Sequence, residues 1–180
     1  MEFQIVNEEV FYTKELITKV TAGDISLLKQ FASNNSRKRV RLCTHHNVNE
    51  STHEMMIIHA KGNYIPPHKH ILKSESFHLV EGVLDVVLFD DLGKITEIID
   101  MSINENEKVF YYRIPANCYH TLLISSEWLV YHETTSGPFD REQMEFAKWA
   151  PSENEEEIEN QRRYLKKLSS EIIKFKNKQC

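Results

Sequence analysis

The sequence is poor in the residues that build disulfide frameworks, zinc fingers and phosphate-binding loops. Its 180 residues include three cysteines, Cys43, Cys118 and Cys180, whose wide spacing fits neither a disulfide framework nor a zinc finger. Its five glycines form no glycine-rich loop that would hold a phosphate. No arrangement of nucleophile, base and acid stands out either. These absences exclude several common ways of organising a fold or a site.

The chain also lacks an excess of positive charge and a long apolar run. It has 22 basic against 27 acidic residues, a net charge of −5, which gives no reason to expect nucleic acid or an anionic membrane as a partner. No apolar stretch approaches the roughly 20 residues of a membrane span, and the N-terminus shows no secretory signal. We therefore expect one cytoplasmic domain, with no nucleic-acid or membrane partner.

Three regions of the chain differ in character. Residues 1–36 are mixed and include a short amphipathic helix that we expect to begin at Asp24. Residues 37–139 alternate turn signals with short runs rich in Val, Ile, Phe and Tyr, a pattern typical of an antiparallel sandwich or barrel. Residues 140–180 become helical. We therefore predict an N-terminal extension, a β-barrel and a C-terminal helical extension packed on the barrel.

The C-terminal region carries one apolar stripe at helical spacing. Its members are Ile158, Leu165, Leu168, Ile172 and Phe175. We expect this stripe to pack on the barrel, and docking on a second subunit is the alternative.

The segment from Gly62 to Gly82 follows the pattern G-x5-H-x-H-x4-E-x6-G. Its two histidines, His68 and His70, are one residue apart and therefore share a face of an extended strand. Glu75 on the next strand is placed to join them. The spacing predicts a metal site.

A third imidazole is available from Pro115-x-Asn117-x-x-His120. Three imidazoles and a carboxylate form a nitrogen and oxygen ligand set that suits Fe, Mn, Zn, Ni or Co rather than Ca or Mg. We predict one divalent transition metal, and four protein ligands would leave two positions of an octahedral ion open for a substrate. The alternative is that these are surface or structural histidines on an ordinary sheet. The predicted ligands are His68, His70, Glu75 and His120.

The two segments resemble the two sequence motifs of the cupin superfamily. The first matches throughout, whereas the second has Asn117 in place of a glycine, with Val109 and Ile124 at two further positions that usually hold glycine and asparagine. Asparagine is the residue that best tolerates a left-handed turn after glycine. The resemblance implies an all-β, jelly-roll-like cupin barrel, the double-stranded β-helix. We expect this barrel to carry a short N-terminal helix and C-terminal helices.

Further segments resemble the WbuC-like cupin metalloproteins, which are associated with bacterial O-antigen and capsule gene sets. They include Arg39–His46, Tyr64–His70, Glu75–Gly82 and His132–Phe139. The resemblance covers roughly residues 30–152. It implies a bound divalent metal and a role in surface-polysaccharide biosynthesis, but no particular reaction.

The alternation of side chains along a strand predicts which face some of the other polar residues occupy. Glu75 enters the barrel as a ligand, so His78 on the same strand points outward. Arg39 and Arg41 share a face, and two guanidinium groups at the barrel mouth would suit a phosphate or carboxylate. Solvated charges on an edge strand are the alternative for the arginines. His46 follows them as a further candidate for substrate binding, or as a loop residue without a role.

The remaining candidates surround the predicted barrel interior. Glu133 shares a face with barrel-interior residues and is the candidate catalytic residue, as general base or hydrogen-bond acceptor. The alternative for Glu133 is a structural ion pair, with Arg113 as its partner. Tyr64 and Arg113 are candidates for substrate binding, although Tyr64 also suits the core. Cys118 faces the pocket or serves as a small buried hydrophobe.

The sequence thus supports a metal-dependent cupin enzyme that acts on a small polar metabolite, such as a sugar or sugar nucleotide. A non-catalytic, metal-bearing sugar-binding or regulatory cupin is the first alternative, and a non-haem iron dioxygenase is the second. We also expect a homodimer, since exposed strand edges of a barrel tend to be covered.

Overall fold

The computed structural model describes residues 1–178, apart from the side chain of residue 155. Within that range the chain forms twelve strands and two α-helices. The strands are β1 (Phe3–Ile5), β2 (Val10–Thr13), β3 (Arg39–Cys43), β4 (Thr52–Ala60), β5 (His68–His70), β6 (Glu75–Glu81), β7 (Val83–Phe89), β8 (Ile95–Ser102), β9 (Tyr111–Ile114), β10 (Tyr119–Ile124), β11 (Trp128–Ser136) and β12 (Met144–Phe146). The helices are α1 (Ala22–Asn34) and α2 (Ile158–Lys176). Neither helix combines the length and apolar character needed to cross a membrane.

The strands form two sheets whose inner faces enclose the core. One sheet has the order β1-β2-β3-β4-β11-β6-β9, and the other has the order β12-β5-β10-β7-β8. Among these strands only β2 and β3 pair in parallel. Both sheets send apolar side chains into one cluster, including Phe77, Leu79 and Leu129 from the first and Leu84, Val86 and Leu122 from the second. This is the predicted all-β cupin barrel.

Helix α1 covers the outer face of the larger sheet. Leu28 and Ala32 are buried there against Val40. The helix begins earlier than expected, because Thr21 is the N-cap and Asp24 lies within the first turn. The Thr21 hydroxyl accepts from the backbone N–H of Asp24, and the Asp24 carboxylate accepts from the backbone N–H of Thr21. This reciprocal capping box fixes the start of the helix.

Helix α2 covers the outer face of the smaller sheet. Leu168 and Ile172 are buried there, packed with Val87 and Phe89 of β7. These two residues belong to the apolar stripe that we expect to pack on the barrel, whereas Ile158 at the start of the helix is exposed.

The terminal regions add strands to the barrel sheets. β2 pairs with β3, and β12, which lies in the range expected to be helical, pairs with β5. Strand pairing thus crosses both predicted region boundaries, at residues 36 and 139. The division of the chain into three regions stays a prediction. Cys180 lies outside the described residues.

Candidate metal centre

Three strands from both sheets bring the predicted metal ligands together. β5 carries His68 and His70, β10 carries His120 directly opposite His68, and β6 carries Glu75. Potential ligand atoms of His68, Glu75 and His120 all lie within 4.8 Å of one another. The fourth residue, His70, places its Nε2 at 3.1 Å from Glu75 Oε2. We refer to these four residues as the ligand cluster.

Backbone carbonyl groups orient two of the imidazoles. His68 Nδ1 lies 2.9 Å from the carbonyl oxygen of Pro66, and His120 Nδ1 lies 3.0 Å from that of Cys118. When Nδ1–H donates to a carbonyl, the neutral imidazole presents the lone pair of Nε2, which is the orientation of a metal-bound histidine. His120 Nε2 lies 3.0 Å from Glu75 Oε1. The donor set therefore fits a divalent transition metal.

Burial and mutual charge shift the pKa values within the cluster. Burial, followed by the charge of His120, lowers the pKa of His68 to about 4. Burial disfavours the charged forms of both Glu75 and His120, but the attraction between the two charged side chains is stronger. The pKa of Glu75 is therefore well below its usual value, and the pKa of His120 is raised. The carboxylate is thus ionised at neutral pH, as a metal ligand must be.

A cavity of about 330 Å³ opens beside the ligand cluster. This volume lies within the range of small-molecule sites. Its lining includes three ligands together with side chains from both sheets and from the segments that flank them. Its polar and aromatic lining residues include Glu9, Arg39, Arg41, His59, His68, His70, Glu75, Tyr131, Glu133, Phe139, Arg141, Phe146 and Glu153.

Glu133 lies on the inner face of β11. Thr135, two residues further along the same strand, pairs with Glu75 of β6. Burial, and next the charge of Glu75, raises the pKa of Glu133 to about 7, while Arg41 acts in the opposite direction. No salt bridge to Glu133 occurs within residues 1–178. Arg113 is exposed and donates instead to Ser74 Oγ, so the expected Glu133–Arg113 pair is absent from the described residues. A carboxyl group with a pKa near 7 can both take and give a proton at neutral pH.

Both arginines of β3 line the cavity, but their surroundings differ. Arg39 Nε lies 2.8 Å from Glu9 Oε2, and Arg39 Nη1 lies 2.9 Å from Glu153 Oε1. Arg41 forms no salt bridge with any residue that the structure describes. Arg39 is therefore paired with two protein carboxylates, whereas Arg41 has no ion pair but lies near enough to Glu133 to lower the pKa of that carboxyl group.

Three residues predicted to bind substrate do not line this cavity. His46 is exposed and lines a different groove. Arg113 points outward because its strand neighbours Tyr112 and Ile114 face the core. Tyr64 is buried and donates its hydroxyl to the carbonyl oxygen of Pro151 at 2.7 Å, in keeping with its alternative role in packing.

Two further sequence interpretations concern side chains near the barrel interior. His78 is exposed, as strand parity predicted. Cys118 packs against the core between the sheets, and burial raises the pKa of its thiol, which supports the interpretation as a small hydrophobe.

The cavity residues that the sequence reasoning missed include His59, Phe139 and Phe146. His59 shares the inner face of β4 with Met55 and Ile57, so the alternation of the strand contained the signal. No periodic pattern marks the two phenylalanines, because Phe139 lies outside any strand and Phe146 ends a strand of three residues.

Comparison with known proteins supports the fold and leaves the activity open. Residues 20–101, less than half of the chain, match a family described as a domain of unknown function, DUF6016. No curated protein matches the chain.

Solved structures resemble the chain at low sequence identity. The protein SO0799 from Shewanella oneidensis has 10% identity and a TM-score of 0.53, over 71% of this chain and 85% of that one. The capsular polysaccharide assembling protein CapF from Staphylococcus aureus has 18% identity and a TM-score of 0.48, over 62% of this chain and 32% of its own. KdgF from Halomonas sp. has 15% identity and a TM-score of 0.45, over 58% and 82%. At such identities a likeness concerns the fold alone.

Proposed function

We propose that the protein is a metal-dependent cupin enzyme that acts on a small polar metabolite, such as a sugar or sugar nucleotide. The observation that carries the proposal is the convergence of His68, Glu75 and His120, whose potential ligand atoms lie within 4.8 Å of one another beside a cavity that Glu133 also lines. A titratable group poised near neutral pH beside a ligand cluster is characteristic of proton-transfer chemistry. The resemblance to WbuC-like cupins adds the context of bacterial surface-polysaccharide biosynthesis.

The ligand cluster would hold one divalent transition metal, Fe, Mn, Zn, Ni or Co. When bound there, such an ion supplies a Lewis acid for a carbonyl or hydroxyl oxygen of the substrate. The carbonyl groups of Pro66 and Cys118 keep two imidazoles in the ligating orientation.

Glu133 is the residue that would move a proton. In its ionised form it would accept a proton from a carbon or hydroxyl of the bound molecule, and in its protonated form it would return one. In the metal-free protein, burial and Glu75 favour the protonated form while Arg41 favours the ionised form, and the pKa of Glu133 is about 7. This balance is what a general acid and base requires.

Metal analysis and turnover together test the proposal. We expect tag-free protein to contain about one transition metal per chain and to convert a member of a panel of nucleotide sugars and sugar acids, followed by mass spectrometry. Glu133→Gln should keep the metal and lose turnover by about 10²–10⁴-fold. Metal-free wild-type protein, or full turnover in Glu133→Gln, would contradict the proposal.

Two other outcomes would favour the alternative functions. Stabilisation by nucleotide sugars without turnover, abolished in Arg41→Ala and kept in His70→Ala, would indicate a binding module. Stoichiometric iron with consumption of oxygen would indicate a dioxygenase.

A further inference from the structure

We propose that the part of the cavity wall formed by Arg41 and His59 binds one anionic group of the substrate, a carboxylate or a phosphate. The proposal deepens the proposed function and rests on it for the other end of the same molecule, which would lie against the ligand cluster. The substrate class is then a sugar acid or a sugar phosphate rather than a neutral sugar.

Arg41 supplies the charge of this site. Its neighbour Arg39 is held by Glu9 and Glu153, whereas Arg41 lines the cavity and forms no salt bridge with the described residues. A half-buried guanidinium without a carboxylate partner favours an anion, and its planar fork matches a carboxylate or phosphate with two parallel hydrogen bonds. The wall therefore offers a guanidinium without a salt-bridge partner among the described residues, and the exposed Arg141 adds positive charge to the same cavity.

His59 supplies a second polar contact. Its exposed fraction is only 5%, and it pairs in register with Arg39, two positions along the strands from the pair formed by Arg41 and Ile57. Its Nδ1 has no hydrogen-bond partner among the described residues, and its Nε2 lies 3.4 Å from the Tyr131 hydroxyl. A buried polar atom without a partner is costly, and a bound ligand would satisfy it.

The ionisation state of His59 suits this role. Burial, and next the charges of Arg39 and Arg41, lower the pKa of His59 to about 3. The imidazole is therefore neutral at physiological pH, and it can donate one hydrogen bond without adding charge to the wall.

The separation between the two ends of the cavity sets a minimum size for the ligand. Arg41 lies on β3 and Glu75 on β6, with β4 and β11 between them. Three strand spacings of about 4.8 Å amount to about 14 Å along the sheet, which barrel curvature and the long arginine side chain shorten. A ligand that reaches both ends must therefore carry its anionic group several bonds away from the atom that faces the ligand cluster.

Two aromatic side chains favour a ring between these ends. Phe139 and Phe146 line the cavity and remain 54% and 44% exposed. The ring of Phe146 lies 6.1 Å from that of His68. Flat apolar faces of this kind pack against the C–H face of a sugar ring.

Calorimetric titration of metal-free protein tests the anion site by itself. EDTA-treated protein is titrated at fixed ionic strength with D-glucuronate, α-D-glucose 1-phosphate and neutral D-glucose. We expect at least one of the two anions to bind at least 10-fold more tightly than glucose, and the anion that binds identifies carboxylate or phosphate as the preferred group. Arg41→Gln should weaken that binding about 10- to 100-fold, and His59→Gln should weaken it several-fold.

Matched variants make the outcome decisive. Arg113→Gln removes an exposed arginine outside the cavity and should leave anion binding unchanged, while Arg41→Lys keeps the charge and should lose only part of the affinity. Circular dichroism confirms that each variant is folded. Equal affinity for glucose and both anions, or wild-type anion affinity in folded Arg41→Gln, overturns the proposal. Anion binding without turnover in the wild-type protein would refute the proposed function while leaving the anion site intact.

Discussion

The backbone N–H of Asn117 donates to the carbonyl oxygen of His70 at 2.7 Å. Asn117 has φ of 61°, in the left-handed region, and its side-chain Nδ2 donates to the carbonyl oxygen of Ile71 at 3.1 Å. The second motif is thereby tied to the strand that carries two ligands of the first. The asparagine that replaces the usual glycine adopts the predicted left-handed turn and adds a hydrogen bond of its own.

Substitution of Asn117 should separate the conformational requirement from the hydrogen bond. Asn117→Gly keeps the left-handed turn and loses only the side-chain bond, so we expect a cost of about 1 kcal/mol. Asn117→Val adds a β-branched side chain in a left-handed position and should cost about 2 kcal/mol or more, with weaker Mn²⁺ binding because His70 shifts. Urea unfolding and calorimetry measure both effects. Equal stability of the two variants would contradict this account.

Removal of His120 should abolish metal binding and destabilise the metal-free protein. His120→Ala takes a partner from the buried Glu75 carboxylate, which should cost about 3 kcal/mol at pH 7. Elemental analysis and urea unfolding of EDTA-treated protein are the measurements. His78→Ala is the matched control because His78 is exposed on the same strand as Glu75, and we expect a change within about 0.5 kcal/mol.

Glu133 should make the metal-free protein less stable as the pH rises. Its pKa is raised from 4.5 to about 7 on folding, so the folded state binds this proton more tightly than the unfolded state. Stability is therefore lost between pH 4.5 and 7, and the loss is constant above that range. Glu133→Gln removes the titration, and we expect the variant to gain about 1–3 kcal/mol on the wild type at pH 8.

Urea titrations of EDTA-treated protein at several pH values between 5 and 8 measure this difference. The gain of Glu133→Gln over the wild type should grow steadily with pH and then level off. A difference that does not depend on pH would show that Glu133 is not shifted upward.

The ion pairs of Glu153 should stabilise the segment that precedes α2. It lies 2.6 Å from Arg37 Nη2 and 2.9 Å from Arg39 Nη1, and the Arg39 side chain is largely buried. We expect Glu153→Gln to cost about 1–3 kcal/mol in thermal or urea unfolding. The control is Glu159→Gln, whose partners Arg162 and Arg163 are exposed on α2, and it should cost no more than about 0.5 kcal/mol.

The two motif glycines should differ in their tolerance of a methyl group. Both have positive φ, +79° at Gly62 and +109° at Gly82. A Cβ at Gly62 meets nothing within 4 Å, whereas a Cβ at Gly82 would lie 2.5 Å from the carbonyl oxygen of Trp128. Gly62→Ala should cost about 1–2 kcal/mol from backbone strain alone, and Gly82→Ala should cost clearly more. Similar unfolding midpoints would contradict the steric argument.

Much of the fold was predictable because its signals are local. Alternation along strands such as β6 and β7 predicted the sheet, and the period of the C-terminal stripe predicted α2. The convergence of His68, Glu75 and His120 was predicted from the spacing of the two motifs, because His68 and His70 share a face of a strand and Glu75 and His120 are placed to join them.

The rest of the site depends on contacts between segments distant in the chain. Arg39 forms ion pairs with Glu9 and Glu153, which lie 30 and 114 positions away along the chain. No local sequence pattern predicts these contacts. Tyr64 stands only four residues before His68, yet packing under the C-terminal region removes it from the cavity. Proximity in sequence to a ligand was therefore a poor guide to the cavity wall.

Because β2 pairs in parallel with β3, Glu9 lies beside Arg39 and affects the charge of the cavity wall. Glu9 masks the guanidinium of Arg39, and its carbonyl oxygen accepts from the backbone N–H of Arg41 at 2.8 Å. Without the Glu9 carboxylate, Arg39 would keep only Glu153 as a partner, and the cavity wall would carry more positive charge than it does now. The affinity of the cavity for anions would then depend on a residue 30 positions upstream of the arginine that it contacts.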